Sequence, residues 1–566
     1  MMKMTGARAV LECLKREGVD VVFGYPGGAI LPLYEEMYKD NFRHILTGHE
    51  QGAVHAADGY ARVTGRPGVC IATSGPGVCN MVTGIATANM DSIPMVIISG
   101  QVPTGLIGRD SFQEADISGI TSPITKHNYL VKNAASIPRV LKEAFYIAST
   151  GRPGPVLIDI AKDALEAEID FEYPDTVHLP GYRVESKGQT YDIDRAVAMI
   201  RNSQKPVFLV GGGVILSETT KYLEDIVDTT KIPVVTTLMG KGALPDSHPL
   251  HLGMGGMHGS YASNKAISDC DLLIALGARF DERLTSRADT FAPNAQIIHF
   301  EIDDVEIDKI IDIDLGIKGD LRWSLPIFAK KLKEGGFDYE AAFANWRQEV
   351  LSMKKDHPFA MPPRPGCISP QSIFAAVRDI TRNDDTVAIT DVGQHQMWAA
   401  QFFTTDEPKH FISSGGLGTM GFGLPAAAGA KVACPDKTVV LFSGDGSILM
   451  NCQEFATLSQ YGINVKVIVL HNDTLGMIVQ LQDFFYNHHY SQCTLNKRKN
   501  LPMLAESLGV QGYHIEKQNE LMPVLEEAFA HKGPALIDIR ISPEERVYPT
   551  VPGGKALSDM ILGGDA

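Results

Sequence analysis

Short apolar strands alternate with helical periodicity along three stretches of the chain. In the first, Val21–Phe23, Gly68–Ala72, Met95–Ser99 and Val156–Ile160 read as strands, and Gln51–Thr64 and Cys79–Met90 as helices. Continuous apolar strands in such an alternation predict a parallel sheet buried on both faces. The span from Glu166 to Gln189 is polar and contains proline, which predicts a linker. The second stretch opens with strand Pro206–Val210 and continues with Ile232–Thr237, Leu272–Gly277 and Ile297–Ile302. Asp338–Lys355 reads as a charged helix, and Met361-Pro362-Pro363-Arg364-Pro365 cannot continue it. The third stretch carries strands Thr386–Thr390, Thr438–Ser443, Lys466–Leu470 and Ala535–Ile539. The expectation is an α/β protein of three doubly wound parallel-sheet domains, at 1–165, 190–330 and 369–550, with a tail at 551–566.

Length agrees with that count, since 566 residues at roughly 150 per domain give three or four domains. A formal charge of −16 argues against nucleic-acid or anionic-membrane partners. It does not exclude an anionic substrate, because a pocket can differ from the surface around it. No run of 18 apolar residues predicts a transmembrane helix, and Met1–Val10 shows no secretory signal. The eight cysteines are dispersed without CxxC spacing, as expected of free thiols in a reducing cytoplasm.

The sharpest chemical signal lies in the third stretch. Strand Val439–Ser443 runs into Gly444-Asp445-Gly446-Ser447, and strand Lys466–Leu470 into His471-Asn472-Asp473-Thr474, with 25 residues between Gly446 and Asn472. Two strand ends of a parallel sheet thereby bring a carboxylate and an amide oxygen to the edge where such sheets bind ligands. Hard oxygen donors with few charges suit Mg²⁺, which favours phosphate oxygens. The glycines admit a diphosphate, and a helix expected to start near Ser447 would offer N–H donors. Gly-Asp-Gly alone could equally be a turn. Gly211-Gly212-Gly213, after a strand, suits a dinucleotide phosphate or a structural turn. Glu50 follows a short strand, Ile45–Leu46, and opens a helix. By itself, an acid there reads as a cap or dipole partner.

These motifs resemble the thiamin diphosphate (ThDP)-dependent decarboxylase superfamily, and within it the catalytic subunits of the acetolactate synthase (acetohydroxyacid synthase) family. The likeness covers nearly the whole chain. It includes Phe23-Gly24-Tyr25-Pro26-Gly27-Gly28, His49-Glu50-Gln51, Thr73-Ser74-Gly75-Pro76-Gly77 and Ser111-Phe112-Gln113-Glu114-Ala115-Asp116. It continues through Gly277-Ala278-Arg279-Phe280, Asp391-Val392-Gly393-Gln394-His395-Gln396 and Gly415-Gly416-Leu417-Gly418-Thr419-Met420-Gly421. The resemblance implies pyrimidine-binding, central FAD-binding and diphosphate-binding domains in that order. It implies Asp445, Asn472 and the carbonyl of Thr474 as Mg²⁺ ligands. Gln394, His395, Gly446 and Ser447 would lie at the diphosphate, and Gly418, Met420 and Met477 at the rest of the thiamin. Glu50 would partner the pyrimidine of a cofactor held mainly by a second subunit. Gly28, Phe112, Gln113 and Lys126 would form the substrate-side wall, although most lysines are solvated surface residues.

The same resemblance makes the middle domain an FAD site, through Arg152, Gly211, Gly212, Gly213, His258, Gly277, Arg279, Glu301, Ile302 and Asp320. Arg283 would receive the acceptor 2-oxo acid. Leu481 stands where biosynthetic members carry a Trp that narrows the acceptor pocket. The expectation is a wider pocket with less preference for 2-oxobutanoate over pyruvate, unless Phe484 or Phe485 fills the gap. His471 also replaces an Asn common before the metal Asn. The activity implied is decarboxylation of pyruvate and carboligation to a second 2-oxo acid, at the head of branched-chain amino acid biosynthesis. The chain would work as a homodimer or homotetramer with shared active sites, with a possible small regulatory subunit, and the tail would be a possible lid. Readings from other classes are a ThDP/FAD pyruvate oxidase, another ThDP carboligase such as glyoxylate carboligase, or a silent homologue.

Overall fold

The computed structural model describes residues 2–184, 186–361 and 364–563. Pro362 and Pro363 of the expected second linker, Glu185 of the first and residues 564–566 of the tail lie outside them. In the first third, the strands are β1 (Met2–Thr5), β2 (Val22–Gly24), β3 (His44–Leu46), β4 (Gly68–Ala72), β5 (Met95–Gln101), β6 (His127–Val131), β7 (Pro155–Ala161) and β8 (Glu168–Phe171). The middle third has β9 (Pro206–Val210), β10 (Val234–Thr236), β11 (His251–Met254), β12 (Leu272–Leu276), β13 (Gln296–Glu301) and β14 (Leu315–Lys318). The last third has β15 (Thr386–Thr390), β16 (Phe411–Ile412), β17 (Thr438–Gly444), β18 (Val465–His471), β19 (Gln511–Ile515) and β20 (Ala535–Arg540).

Three six-stranded parallel sheets result. The first and third share one topology, β3-β2-β4-β5-β7-β6 and β16-β15-β17-β18-β20-β19. The middle sheet runs β11-β10-β9-β12-β13-β14, the order of dinucleotide-binding folds, whose ligand crevice opens where the order reverses. The central strands are the ones the apolar runs predict. The expected strands missed β6, β11, β14, β16 and β19, all at sheet edges; in β6, β14, β16 and β19 part-exposed side chains break the apolar pattern, and in buried β11 His251 and Gly253 interrupt it. One correction concerns the first linker: it contains β8, which pairs antiparallel with β1. Met-Lys-Met-Thr does alternate apolar and polar side chains, but over only four residues and with Met2 exposed, too short a run to stand out as a strand.

The first and third sheets do not stand apart. Helix Glu50–Thr64 lies directly on helix Gly423–Ala433, and buried residues of both sheets form one apolar cluster. A Cβ at Gly59 would overlap the carbonyl of Ala426, and one at Gly429 the carbonyl of Ala56. The backbones therefore meet where only hydrogen side chains fit. The tail packs on the middle sheet, with the Val551 N–H donating to the Met257 carbonyl at 2.8 Å and Val551 and Leu557 buried. Among the described residues no helix is long and apolar enough to cross a membrane.

Candidate active site

At the C-terminal edge of the third sheet, β17 and β18 run side by side and release Asp445 and Asn472 together. Asp445 is 1% exposed. Its carboxylate accepts the Asp473 N–H at 3.1 Å and, more loosely, the Asn472 N–H at 3.4 Å. The Asn472 side-chain oxygen accepts the Thr474 N–H at 3.1 Å, and its amide donates to Gln394 Oε1 at 3.3 Å. Asp473 takes the left-handed conformation, φ 58°, that bends the chain back toward Asp445. Two helices open onto this edge, Gln394–Phe402 and Gly476–Phe485. A Cβ at Gly476 would overlap Gln394 Oε1, so glycine lets the second helix start against the first.

The expected helix at Ser447 is absent. Only a 3-10 turn, Ile448–Met450, follows, and the α-helix begins at Glu454. Ser447 Oγ donates to the Val392 carbonyl at 2.8 Å instead. The reason is that Asn451 turns inward, donating to the Gly421 carbonyl at 2.7 Å.

The site fits a diphosphate and a hard cation on its own chemistry. His395 is buried and its Nε2 has no partner; burial pushes the imidazole down to about 3, so it is neutral. Thr474 Oγ1 is also unpartnered. Asp445 and Asn472 supply hard oxygen donors beside these orphans and two helix N-termini. Around them lies a charge network that inspection of the sequence did not find. Asp473 is bonded by Arg540 at 2.7 Å, Lys499 at 2.8 Å and His471 at 2.9 Å. Burial works against its ionisation, but these partners outweigh it and hold the carboxyl well below the usual range. His471 also bonds Asp538 at 2.7 Å. Lys499 lies 26 positions beyond Asp473, in a loop without strand or helix pattern, so nothing local marks it.

A cavity of about 1340 Å³ joins this edge to the crevice of the middle sheet. Gln394, His395, Gly418, Met420, Asp445, Gly446, Ser447, Asn472, Thr474, Met477 and Leu481 line it on one side. Gly212, Gly213, His258, Gly277, Arg279, Arg283, Glu301, Ile302 and Asp320 line it on the other, with Arg152 from the first domain. Gly211 does not reach it. A Cβ there would overlap the Gly277 carbonyl, and the Gly213 N–H donates to that same oxygen at 3.0 Å. The glycine turn after β9 thus serves packing against the turn after β12 as well as the crevice. Arg152 bonds Glu306 at 2.9 Å and Ser92 at 2.9 Å, and Arg279 donates to the Met90 carbonyl at 2.7 Å. Both arginines tie the first sheet to the second. Asp320 caps helix Leu321–Lys333 and pairs with Arg322. Buried His258 is held near 4 by burial, beside the Pro549 carbonyl.

The remaining candidates lie elsewhere in the first domain. Glu50 opens its helix and accepts from Asn80 Nδ2 at 2.9 Å. Gly28 is exposed, with open space where a Cβ would stand. Phe112 is 88% exposed, and its neighbour Gln113 has φ 59°. None of these lines the cavity. Lys126 departs furthest from the expected substrate wall. Its ammonium caps the helix Ile137–Ser149, donating to the carbonyls of Ile147 and Thr150 and to Tyr182 Oη. Burial draws it down to about 8.

Fold and site together define a thiamin diphosphate enzyme. Three family models match: "Thiamine pyrophosphate enzyme, N-terminal TPP binding domain" over residues 4–120, the central domain over 193–327, and the C-terminal TPP binding domain over 391–539. The chain is 47% identical to the acetolactate synthase large subunit of Mycobacterium tuberculosis, over 99% of this chain and 92% of that one. It is 46% identical to the large subunit of Corynebacterium glutamicum, over 99% and 90%, and 45% identical to that of Haemophilus influenzae, over 99% of each. The chain belongs to the acetolactate synthase large-subunit family of thiamine pyrophosphate enzymes.

Proposed function

We propose that this chain is the catalytic chain of an acetolactate synthase, which decarboxylates pyruvate and joins the two-carbon fragment to a second 2-oxo acid. The observation that carries the reading is the convergence of Asp445, Asn472, neutral His395 and two helix N-termini on one cavity. Thiamin diphosphate, when bound, supplies the electron sink for the carboxylate that leaves. Asp445, the Asn472 side-chain oxygen and the Thr474 carbonyl would hold Mg²⁺. Gln394, His395, Gly446 and Ser447 would hold the diphosphate, and Gly418, Met420 and Met477 the rings. Glu50 would keep a proton at the pyrimidine from a second chain, because it does not line the cavity that Asp445 lines in one subunit. Gly28, Phe112 and Gln113 do not line it either, and the exposure of Phe112 is what an interface residue shows before its partner is added. Lys126 would act there as a support, holding the helix end beneath the wall. A homodimer, or a tetramer built from it, follows.

FAD is proposed for the middle crevice. Supporting it are the strand order, the Gly212–Gly213 turn at the point of reversal, and a cavity continuous with the thiamin side. Arg283, two-thirds exposed at the cavity rim, would meet the acceptor carboxylate. The tail, lying against Met257, would close over the entrance. The relatives' designation as large subunits supports a small regulatory partner, and eight free cysteines support a cytoplasmic location.

Incubation with pyruvate, ThDP, Mg²⁺ and FAD should yield acetolactate without net flavin reduction. Glu50→Gln should lower kcat by a factor of about 10² to 10⁴. Flavin reduction in step with pyruvate consumption would instead establish the oxidase reading.

A further inference from the structure

Lys499 reaches the candidate metal site from outside every motif. Its ammonium lies 2.9 Å from Asp445 Oδ2 and 2.8 Å from Asp473 Oδ1, with a side chain only 9% exposed. Asp473 does not depend on it, since Arg540 and His471 already bond both of its oxygens. Asp445 is different. Its other partners are two backbone N–H groups and the His471 ring at 3.5 Å. Among the described residues, Lys499 is the permanent cation that touches the candidate metal carboxylate.

The lysine is also held in place. The segment before it pairs with the turn that carries Thr474: the Leu475 N–H donates to the Cys493 carbonyl at 2.7 Å, and the Leu495 N–H to the Asp473 carbonyl at 2.8 Å. Lys499 Nζ further donates to the Asn496 carbonyl at 3.2 Å. These bonds fix where the Lys499 backbone starts, and the Asn496 carbonyl helps hold its ammonium at the two carboxylates. On Asp445 it occupies Oδ2, while Oδ1 has only the long 3.4 Å bond from Asn472 and keeps acceptor capacity for a metal.

We propose that Lys499 is a resident counter-cation that sets how tightly this site holds a divalent ion. The inference rests on the metal assignment made above. Without the ion, the ammonium neutralises a buried carboxylate that would otherwise be costly to keep charged. With the ion present, a fixed positive charge in a dry site repels it with little screening. Lys499 therefore keeps the apoprotein stable and the metal exchangeable.

Mn²⁺ is the probe, followed by loss of the free-ion EPR signal in the presence of ThDP. Lys499→Met should bind Mn²⁺ at least tenfold more tightly than the unaltered protein, and Lys499→Arg should stay within about threefold of it. Unchanged or weaker binding by a folded Lys499→Met overturns the proposal, as does tightening in Lys499→Arg. Lys499→Gln repeats the test with a smaller polar side chain. Loss of the folded state in both neutral variants would assign Lys499 to the fold and also overturn it. Failure of the metal assignment looks different: the unaltered protein would bind no Mn²⁺, or Asp445→Ala would bind it equally well.

Discussion

Single residues in the site are set by burial more than by sequence neighbours. His395 is neutral because it is buried, and Gly476 is needed because another helix starts within contact of it. Leu481, Phe484 and Phe485 all face the cavity, and Phe484 lies edge-on to both Phe485 and Tyr548, turned toward the tail. Phe484 thus packs with aromatic neighbours of its own, which supports a wide acceptor pocket at Leu481. In competition between pyruvate and 2-oxobutanoate, Leu481→Trp should raise selectivity for 2-oxobutanoate by about 10-fold or more, in line with ~1–3 kcal/mol per methylene-sized contact. A buried acid outside the site gives a pH test. Burial raises Asp159 to about 7, although Ser99 and Gln101 donate to it. The folded state keeps a proton that the unfolded chain releases near ~4. Stability from this group is full below that value and is lost as pH rises through about 7. Asp159→Asn should flatten the pH dependence of Tm across that window, and an unchanged slope would contradict it.

Among elements, the contact between helices Glu50–Thr64 and Gly423–Ala433 governs how Glu50 is presented. The first helix is capped by His49, whose ring accepts the Gln51 N–H, and ends at Gly65 with φ 73°. Its glycines would ordinarily weaken a helix, while its alanines favour one. Here they bring two domains into backbone contact. Gly429→Ala should therefore destabilise the protein by about 1–3 kcal/mol through overpacking, although Gly to Ala inside an exposed helix gains about 1 kcal/mol. A higher Tm would show that the close approach is not required. Apolar periodicity marked the first of these helices, as Gln51–Thr64, but neither the second helix nor its contact with the first, because that contact depends on the small side chains of each meeting in register.

For the whole molecule, the two halves of the expected chemistry do not meet in the cavity of one chain: Asp445 lines it and Glu50 does not. Glu50 stands on the first sheet's edge, and Asp445 lines the cavity between the third and middle sheets. A two-chain active site makes a sharp forecast. Glu50→Gln and Asp445→Ala, each inactive alone, should regain about a quarter of full activity after mixing and subunit exchange. Half of the dimers would then be mixed, each with one of its two sites intact. No recovery on confirmed exchange would place both residues in one subunit's site. The charge of −16 has little bearing on an anionic substrate, since cations such as Arg283 line the cavity itself.

Local pattern by itself determined the central strands, the three-sheet α/β class, and the pairing of Asp445 with Asn472. Apolar runs and strand-end glycines are properties of a few adjacent residues, so they can be read in order along the chain. Family likeness, resting on whole motifs, added the thiamin chemistry. Only the tertiary structure decided the rest. The β1–β8 pair joins residues more than a hundred and fifty positions apart, the edge strands are fixed by the neighbour each pairs with, and the missing helix at Ser447 reflects competing side-chain bonds. Lys126 turned out to cap a helix, and Lys499 to face the Asp445 carboxylate, because where a long cationic side chain ends is settled by whichever oxygens the fold brings within reach.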